Sequence, residues 1–212
     1  MASEERHNED LAGIGAFLGV DGLLSRSANT KLDVVFALRR MLAEGASMDK
    51  LSTRELCQRA QISKSTFYKN FKDKYSVVQW YLDLLYRKGV AEVGRTVTWR
   101  RGHRITTCGI LEVKDLFVNA AKSADYNAVN SYSRRKREQD MVCTLEQYHH
   151  VEVTPQIHGQ IIAAAAAETA VMAHVTSGTL PLDEDDLVEL LVSTVPHELF
   201  ELMGTPVKRA DI

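Results

Sequence analysis

Leu51–Lys74 reads LSTRELCQRAQISKSTFYKNFKDK, and the fold of the 212-residue chain turns on it. Ser52 followed three residues later by Glu55 makes a capping box: the Ser hydroxyl accepts from the Glu55 amide, and the Glu carboxylate reaches back to the Ser52 amide. Leu51 and Leu56 staple the same turn with an apolar contact. The device repeats eleven residues on, with Ser63 as cap, Ile62 before it and Phe67 after it, so the spacing predicts a second helix from Lys64. Two helix starts this close leave room for one short helix and a tight turn. On the second helix Phe67 and Phe71 share a face, while Ser65, Thr66, Tyr68 and Lys69 spread around the other. One face packs and the other is offered to a partner.

The offered face is small, hydroxyl-rich and basic, which suits a helix lying in the major groove of double-stranded DNA, where Ser, Thr and Lys meet base edges and phosphates. Asp49–Lys74 holds seven basic residues (Lys50, Arg54, Arg59, Lys64, Lys69, Lys72, Lys74) against three acidic ones. That local +4 sits on a chain of net charge −2, leaving −6 elsewhere. A basic patch on an acidic protein is the electrostatic footprint of a DNA reader.

Outward from this stretch the chain reads as helix throughout. Val34, Val35, Leu38, Met41 and Leu42 recur at helical spacing and predict a helix over Lys31–Ala43, stopped by Gly45, that completes a three-helix head. Residues 1–29 read as an N-terminal extension, 30–74 as the DNA-binding head and 75–212 as a larger C-terminal helical domain. After Lys74 the segment to Gly89–Gly94 is apolar on nearly all sides, as expected of a helix connecting two bodies. Arg95–Cys108 lacks clean periodicity and reads as an irregular connection with solvated arginines. Ile110–Ala121 and Tyr126–His149 read as helices, the latter with the basic run Arg134–Arg137 on a solvated face.

The last third predicts two long helices. Thr154 as cap with Pro155 at the first position starts one that runs to Gly178. Asp183, Glu184, Asp185 and Asp186 suit the positive end of a final helix, which Pro196 should bend. Two apolar helices in succession can pair with a symmetry copy as a four-helix interface, with Ile161, Ala164, Ala165, Val171, Leu187, Leu191 and Leu199 on the shared face.

Composition excludes several classes. The odd cysteines Cys57, Cys108 and Cys143 have no CxxC pair, which argues against a disulfide framework or zinc knuckle and fits a reducing cytoplasm. The cluster Cys143, His149, His150 and His158 has no recognised ligand spacing, so no metal and no cofactor is expected. The start is acidic, unlike a signal peptide, and no stretch is long enough to span a bilayer. Neither a Gly-rich phosphate loop nor a nucleophile–base constellation marks an enzyme.

Thr53, Leu56, Ala60, Ile62, Ser63, Thr66, Phe67, Tyr68, Phe71 and Lys74, at these spacings, resemble the tetracycline-repressor (TetR) family of bacterial transcriptional regulators. The likeness covers roughly Lys31–Leu85. It implies an all-α homodimer whose heads read the halves of a palindromic operator, and a C-terminal domain able to hold a small-molecule inducer. By that analogy Thr53, Tyr68 and Lys74 contact phosphates, Lys64, Ser65, Thr66 and Lys69 lie nearest base edges, and Arg54 and Ser63 flank them. Trp80, Trp99, Phe117, Tyr126, Tyr132, Tyr148 and His174 are the candidate pocket lining. The sequence departs from the family pattern at Gln61 and Ser65, where glycine is common, and at Asn70, often histidine. Gln61 is strained if the turn needs a positive φ there. The resulting expectation is a DNA-binding repressor released by a ligand. The alternative is a helical interaction protein that keeps the scaffold and acts through its dimer face or N-terminal extension.

Overall fold

The computed structural model describes residues 26–123 and 127–207; the apolar segment Leu11–Leu24 and Tyr126 lie outside these. The described residues form ten α-helices: α1 Arg26–Ala43, α2 Thr53–Arg59, α3 Lys64–Asn70, α4 Lys74–Lys88, α5 Trp99–Glu112, α6 Lys114–Ala121, α7 Asn127–Gln147, α8 Pro155–Ser177, α9 Glu184–Ser193 and α10 His197–Gly204. A 3₁₀ turn, Val90–Glu92, follows α4, and an isolated bridge joins Val93 to Val97. The fold is all-α.

The chain divides into two units. The first comprises the described part of Met1–Tyr81 with Asp115–Tyr126, and the second the described part of Leu82–Lys114 and Asn127–Ile212. In the first unit, α1 contributes Val34, Val35, Phe36, Ala37, Leu38 and Leu42 to a core that α2 and α3 close with Leu56, Cys57 and Phe67. Phe71 stacks edge-on against Trp80 at 6.2 Å. The later strip of chain joins this unit through α6: Arg39 donates from Nε to Asp115 at 2.8 Å, and Phe117 lies 6.5 Å from Tyr81. α1 starts at Arg26, earlier than the apolar periodicity predicts. Its first turn is fastened by tertiary contact, with the Ser27 hydroxyl 3.3 Å from Asn70 Oδ1.

The second unit is built on the buried side of α8. Ile161, Ala164 and Ala165 of α8 pack against Met141 and Leu145 of α7 and Leu199 and Met203 of α10, while Val175 packs with Leu187 and Leu191 of α9. Thr154 caps α8, Pro155 occupies its first position and Gly178 ends it at φ 79°. Two expectations are corrected here. Pro196 does not bend one helix; α9 stops at Ser193 and Pro196 is the N-cap of α10, since a residue with fixed φ and no amide starts a helix more readily than it continues one. Nor is Trp99–Cys108 irregular. It is the front of α5, capped by Thr98, and its buried face Trp99, Gly102, His103, Thr106, Thr107 and Ile110 follows helical spacing with residues that apolar periodicity does not register. Two of its three outward arginines are paired: Arg100 with Glu189, and Arg104 with Glu184 and Asp185.

Candidate nucleic-acid interface

The helical pair α2–α3 is held by its caps. Ser52 and Glu55 exchange both capping-box bonds, the Ser52 amide donating to Glu55 at 2.8 Å and the Glu55 amide to Ser52 Oγ at 3.2 Å. The Ser52 hydroxyl bonds hold the Glu55 carboxyl below its ordinary pKa. At α3 the Thr66 amide donates to Ser63 Oγ at 3.0 Å, and the Ser63 and Thr66 hydroxyls are 2.9 Å apart. Asp73 and Ser76 make a third reciprocal pair, which starts α4: the Ser76 amide donates to Asp73 at 2.8 Å and the Asp73 amide to Ser76 at 3.1 Å.

Between α2 and α3 the turn closes as a Schellman motif. The Ile62 amide donates to the Cys57 carbonyl at 3.0 Å and the Gln61 amide to the Gln58 carbonyl at 3.2 Å. This closure needs a left-handed residue, and Gln61 supplies it at φ 55°. Glycine's absence therefore leaves real backbone strain at the centre of the motif.

Phe67 anchors α3, fully buried and 5.6 Å from Phe71. That fixes the opposite face outward. Ser63, Lys64, Ser65, Tyr68 and Lys69 are exposed and Thr66 is half-buried. Tyr68 is 58% exposed, and its ring stands edge-on to Phe67 at 5.4 Å, so its hydroxyl is carried on a braced stem. Thr53, half-buried, and Arg54, exposed, occupy the first turn of α2.

Two of the seven basic residues are engaged within the fold. Arg59 pairs with Glu44, Nη1 to Oε1 at 3.0 Å. Lys74 turns its ammonium onto the Asp49 and Leu51 carbonyls at 3.0 and 2.9 Å. It fastens the turn before α2 and keeps one of its three donors for another acceptor. Lys50, Arg54, Lys64, Lys69 and Lys72 stay exposed. Asn70 is likewise turned inward, donating to the Thr66 carbonyl at 2.8 Å.

The candidate pocket residues are divided between the two units. Trp80 and Phe117 belong to the first unit, Phe117 buried and Trp80 half-buried, with Lys31 Nζ 5.4 Å above the Trp80 ring. In the second unit Trp99 is sealed between Phe200 and His103, Tyr132 bonds Asp83 at 2.5 Å, Tyr148 lies under Arg95, and His174 bonds Thr179 at the end of α8. Six of the seven residues expected on a dimer face lie inside the fold. Ile161, Ala164, Ala165, Leu187, Leu191 and Leu199 are buried in the second unit's own core, and Val171 packs against it. The periodicity found the apolar side of each helix, and the monomer itself consumes that side. Nor do Cys143, His149, His150 and His158 gather; His149 bonds the Gly94 carbonyl, and among the described residues no group of three or more such side chains is placed to hold a metal.

What sequence reading missed is a buried polar cluster. Arg137, the last residue of the basic run, is 2% exposed; it grips Glu168 from Nε at 2.8 Å and Nη2 at 3.2 Å, and donates from Nη1 to the Val90 carbonyl at 2.9 Å. The signal was present: Glu168 is the one carboxylate in the alanine-rich α8, and a buried carboxylate requires a partner. Arg137 and His103 hold its carboxyl below the ordinary range against the opposing effect of burial.

Residues 37–79, from within α1 to within α4, match the model of bacterial regulatory proteins, tetR family. Over these residues the head is similar to the TetR family. The capped α3 lies within the matched residues. Among solved structures the fold is similar to that titled dihydroxyacetone kinase operon activator DhaS, with a TM-score of 0.54 and 14% identity over 83% of this chain and 98% of that one. At that identity the likeness speaks for the fold. The sequence has no match among the curated proteins compared with it. No helix among the described residues is long and apolar enough to cross a membrane.

Proposed function

We propose that this protein is a TetR-family regulator, a homodimeric repressor that reads a palindromic operator and leaves it when a small molecule binds the second unit. The observation that carries the reading is α3 itself, a helix fixed at both ends that presents Lys64, Ser65, Tyr68 and Lys69 on one exposed face. In this reading Lys69, Lys64, Ser65 and Thr66 meet base edges. Thr53, Arg54, Tyr68 and the remaining Lys74 donor meet phosphates and set the register. Two such helices must lie about 34–36 Å apart to enter successive major grooves, so DNA affinity depends on how two copies are held.

The dimer contact belongs on the side of α8 that the monomer leaves open. Gly159, Ile162, Ala163, Ala170 and Ala173 are exposed there at helical spacing, with Ala166 half-buried between them, and Ile162 is 44% exposed. Small side chains let two helices approach closely across a two-fold axis.

The test is selection from genomic DNA. Full-length protein mixed with pooled genomic fragments should enrich a short inverted repeat, with affinity falling steeply as salt rises. Equal, weak retention of all fragments would remove the operator reading and leave a helical interaction protein on the same scaffold.

A further inference from the structure

The exposed cations of the head have an acidic counterpart in the same chain. Lys50, Arg54, Lys64, Lys69 and Lys72 are exposed, and no carboxylate among the described residues pairs with any of them. Residues 1–25, MASEERHNEDLAGIGAFLGVDGLLS, carry Glu4, Glu5, Glu9, Asp10 and Asp21 against Arg6 alone, a net −4. This short segment therefore holds −4 of the −6 that lies outside residues 49–74. Four of its five carboxylates fall within residues 4–10. A block so charged gains most from whichever unpaired cations lie within its reach.

The fold puts the α3 cations within that reach. Asn70, the last residue of α3, donates from Nδ2 to the Thr66 carbonyl at 2.8 Å and accepts at Oδ1 from the Ser27 hydroxyl at 3.3 Å. Ser27 is the second residue of α1, so the chain enters α1 beside the last turn of α3, the turn that carries Lys69. At the helical rise the seventeen steps from Asp10 to Ser27 span about 25 Å, and α3 is only about 10 Å long. A tether of this length holds the carboxylates at an effective concentration of about millimolar. Carboxylates and phosphates draw on the same donors, which makes the segment and DNA rivals for one face.

We infer that the acidic stretch of residues 4–10 docks in cis on the basic face of α2 and α3 and competes with DNA for it. The contact is autoinhibitory, and its effect on DNA rests on the reading proposed above. Displacing the segment costs the same whatever the duplex. It therefore lowers affinity for a target and for bulk DNA by one factor and leaves their ratio unchanged. It also flattens the salt dependence of binding, because salt loosens the segment as it loosens DNA.

The test uses full chains. One carries Glu4→Gln, Glu5→Gln, Glu9→Gln and Asp10→Asn. A control carries Glu146→Gln, Glu152→Gln, Asp186→Asn and Glu201→Gln, exposed positions of the second unit, so both variants have net charge +2 in place of −2. The Tyr68 and Lys69 amide resonances are followed from about 20 to about 500 mM salt. In the native and control chains they should move as salt rises; in the segment variant they should already stand at the high-salt position. A duplex of arbitrary sequence is the second probe. The segment variant should bind it roughly tenfold tighter than the control at about 50 mM salt, the gain fading toward about 500 mM. Identical Tyr68 and Lys69 resonances in the segment variant and the control overturn the inference. So does an affinity gain no larger than the control's, which is an effect of bulk charge only. A resonance shift that grows with protein concentration assigns the contact to another copy and overturns docking in cis. If the resonances differ as expected while no chain binds DNA, the docking stands and the DNA reading fails.

Discussion

Gln61 stands at φ 55° because the Schellman closure between α2 and α3 permits nothing else, and an L side chain in that conformation costs about 1–2 kcal/mol. Gln61→Gly removes the strain and returns part of the gain as unfolded-chain entropy. It should stabilise the protein by about 1 kcal/mol, raising the melting temperature by roughly 2–4 °C, as a thermal melt would show. His103 gives the second residue-scale expectation. Its pKa is lowered from 6.5 to about 4 by burial, so between those values the unfolded chain takes up a proton that the folded chain refuses. Stability therefore falls as pH drops through that window, by about 3 kcal/mol in all. Urea denaturation at pH 7 and pH 4.5 should show the loss in the native protein and a shallower one in His103→Gln. Glu168, whose carboxyl is held low, contributes in the same direction but below the ordinary carboxylate range.

Among the elements, the junction of α4 with α5 tolerates least. A Cβ built on Gly89 would stand 2.6 Å from the Gly102 carbonyl oxygen, backbone against backbone. Gly89→Ala should thus cost about 1–3 kcal/mol by overpacking, read as a lower urea midpoint with an unchanged slope. The legibility of the elements followed the same physics. Ser52, Ser63, Thr154 and Asp183 all cap helices that the sequence predicts, because a cap is a local bond between near neighbours. The front of α5 was illegible because it buries Gly, His and Thr, whose burial depends on partners far along the chain. Arg137 misled for a related reason: nothing local in a run of four basic residues distinguishes the one that meets Glu168 thirty-one positions away.

For the whole molecule, the capped helix α3 was visible in the sequence, and which apolar faces stay open was not. Apolar periodicity marks the side of a helix that leaves water, and it cannot say whether the chain's own core or a second copy receives it. Here the core of the second unit takes Ile161, Ala165 and Leu191, and the proposed dimer contact is therefore on the Ile162 side of α8. Ile162→Glu places a charge on that exposed side without touching the core. It should give a folded monomer by sedimentation, with operator affinity lowered at least tenfold; a dimer of native size would put the interface elsewhere.

The central claim is that α3 reads sequence, and one measurement tests it most directly: the affinity of native protein and Lys69→Ala for a selected inverted repeat and for its scrambled counterpart, over a range of salt concentration. The account predicts that Lys69→Ala narrows the ratio between the two DNAs, with a loss worth about 1–3 kcal/mol on the selected repeat. An equal loss on both DNAs, or none, would contradict it.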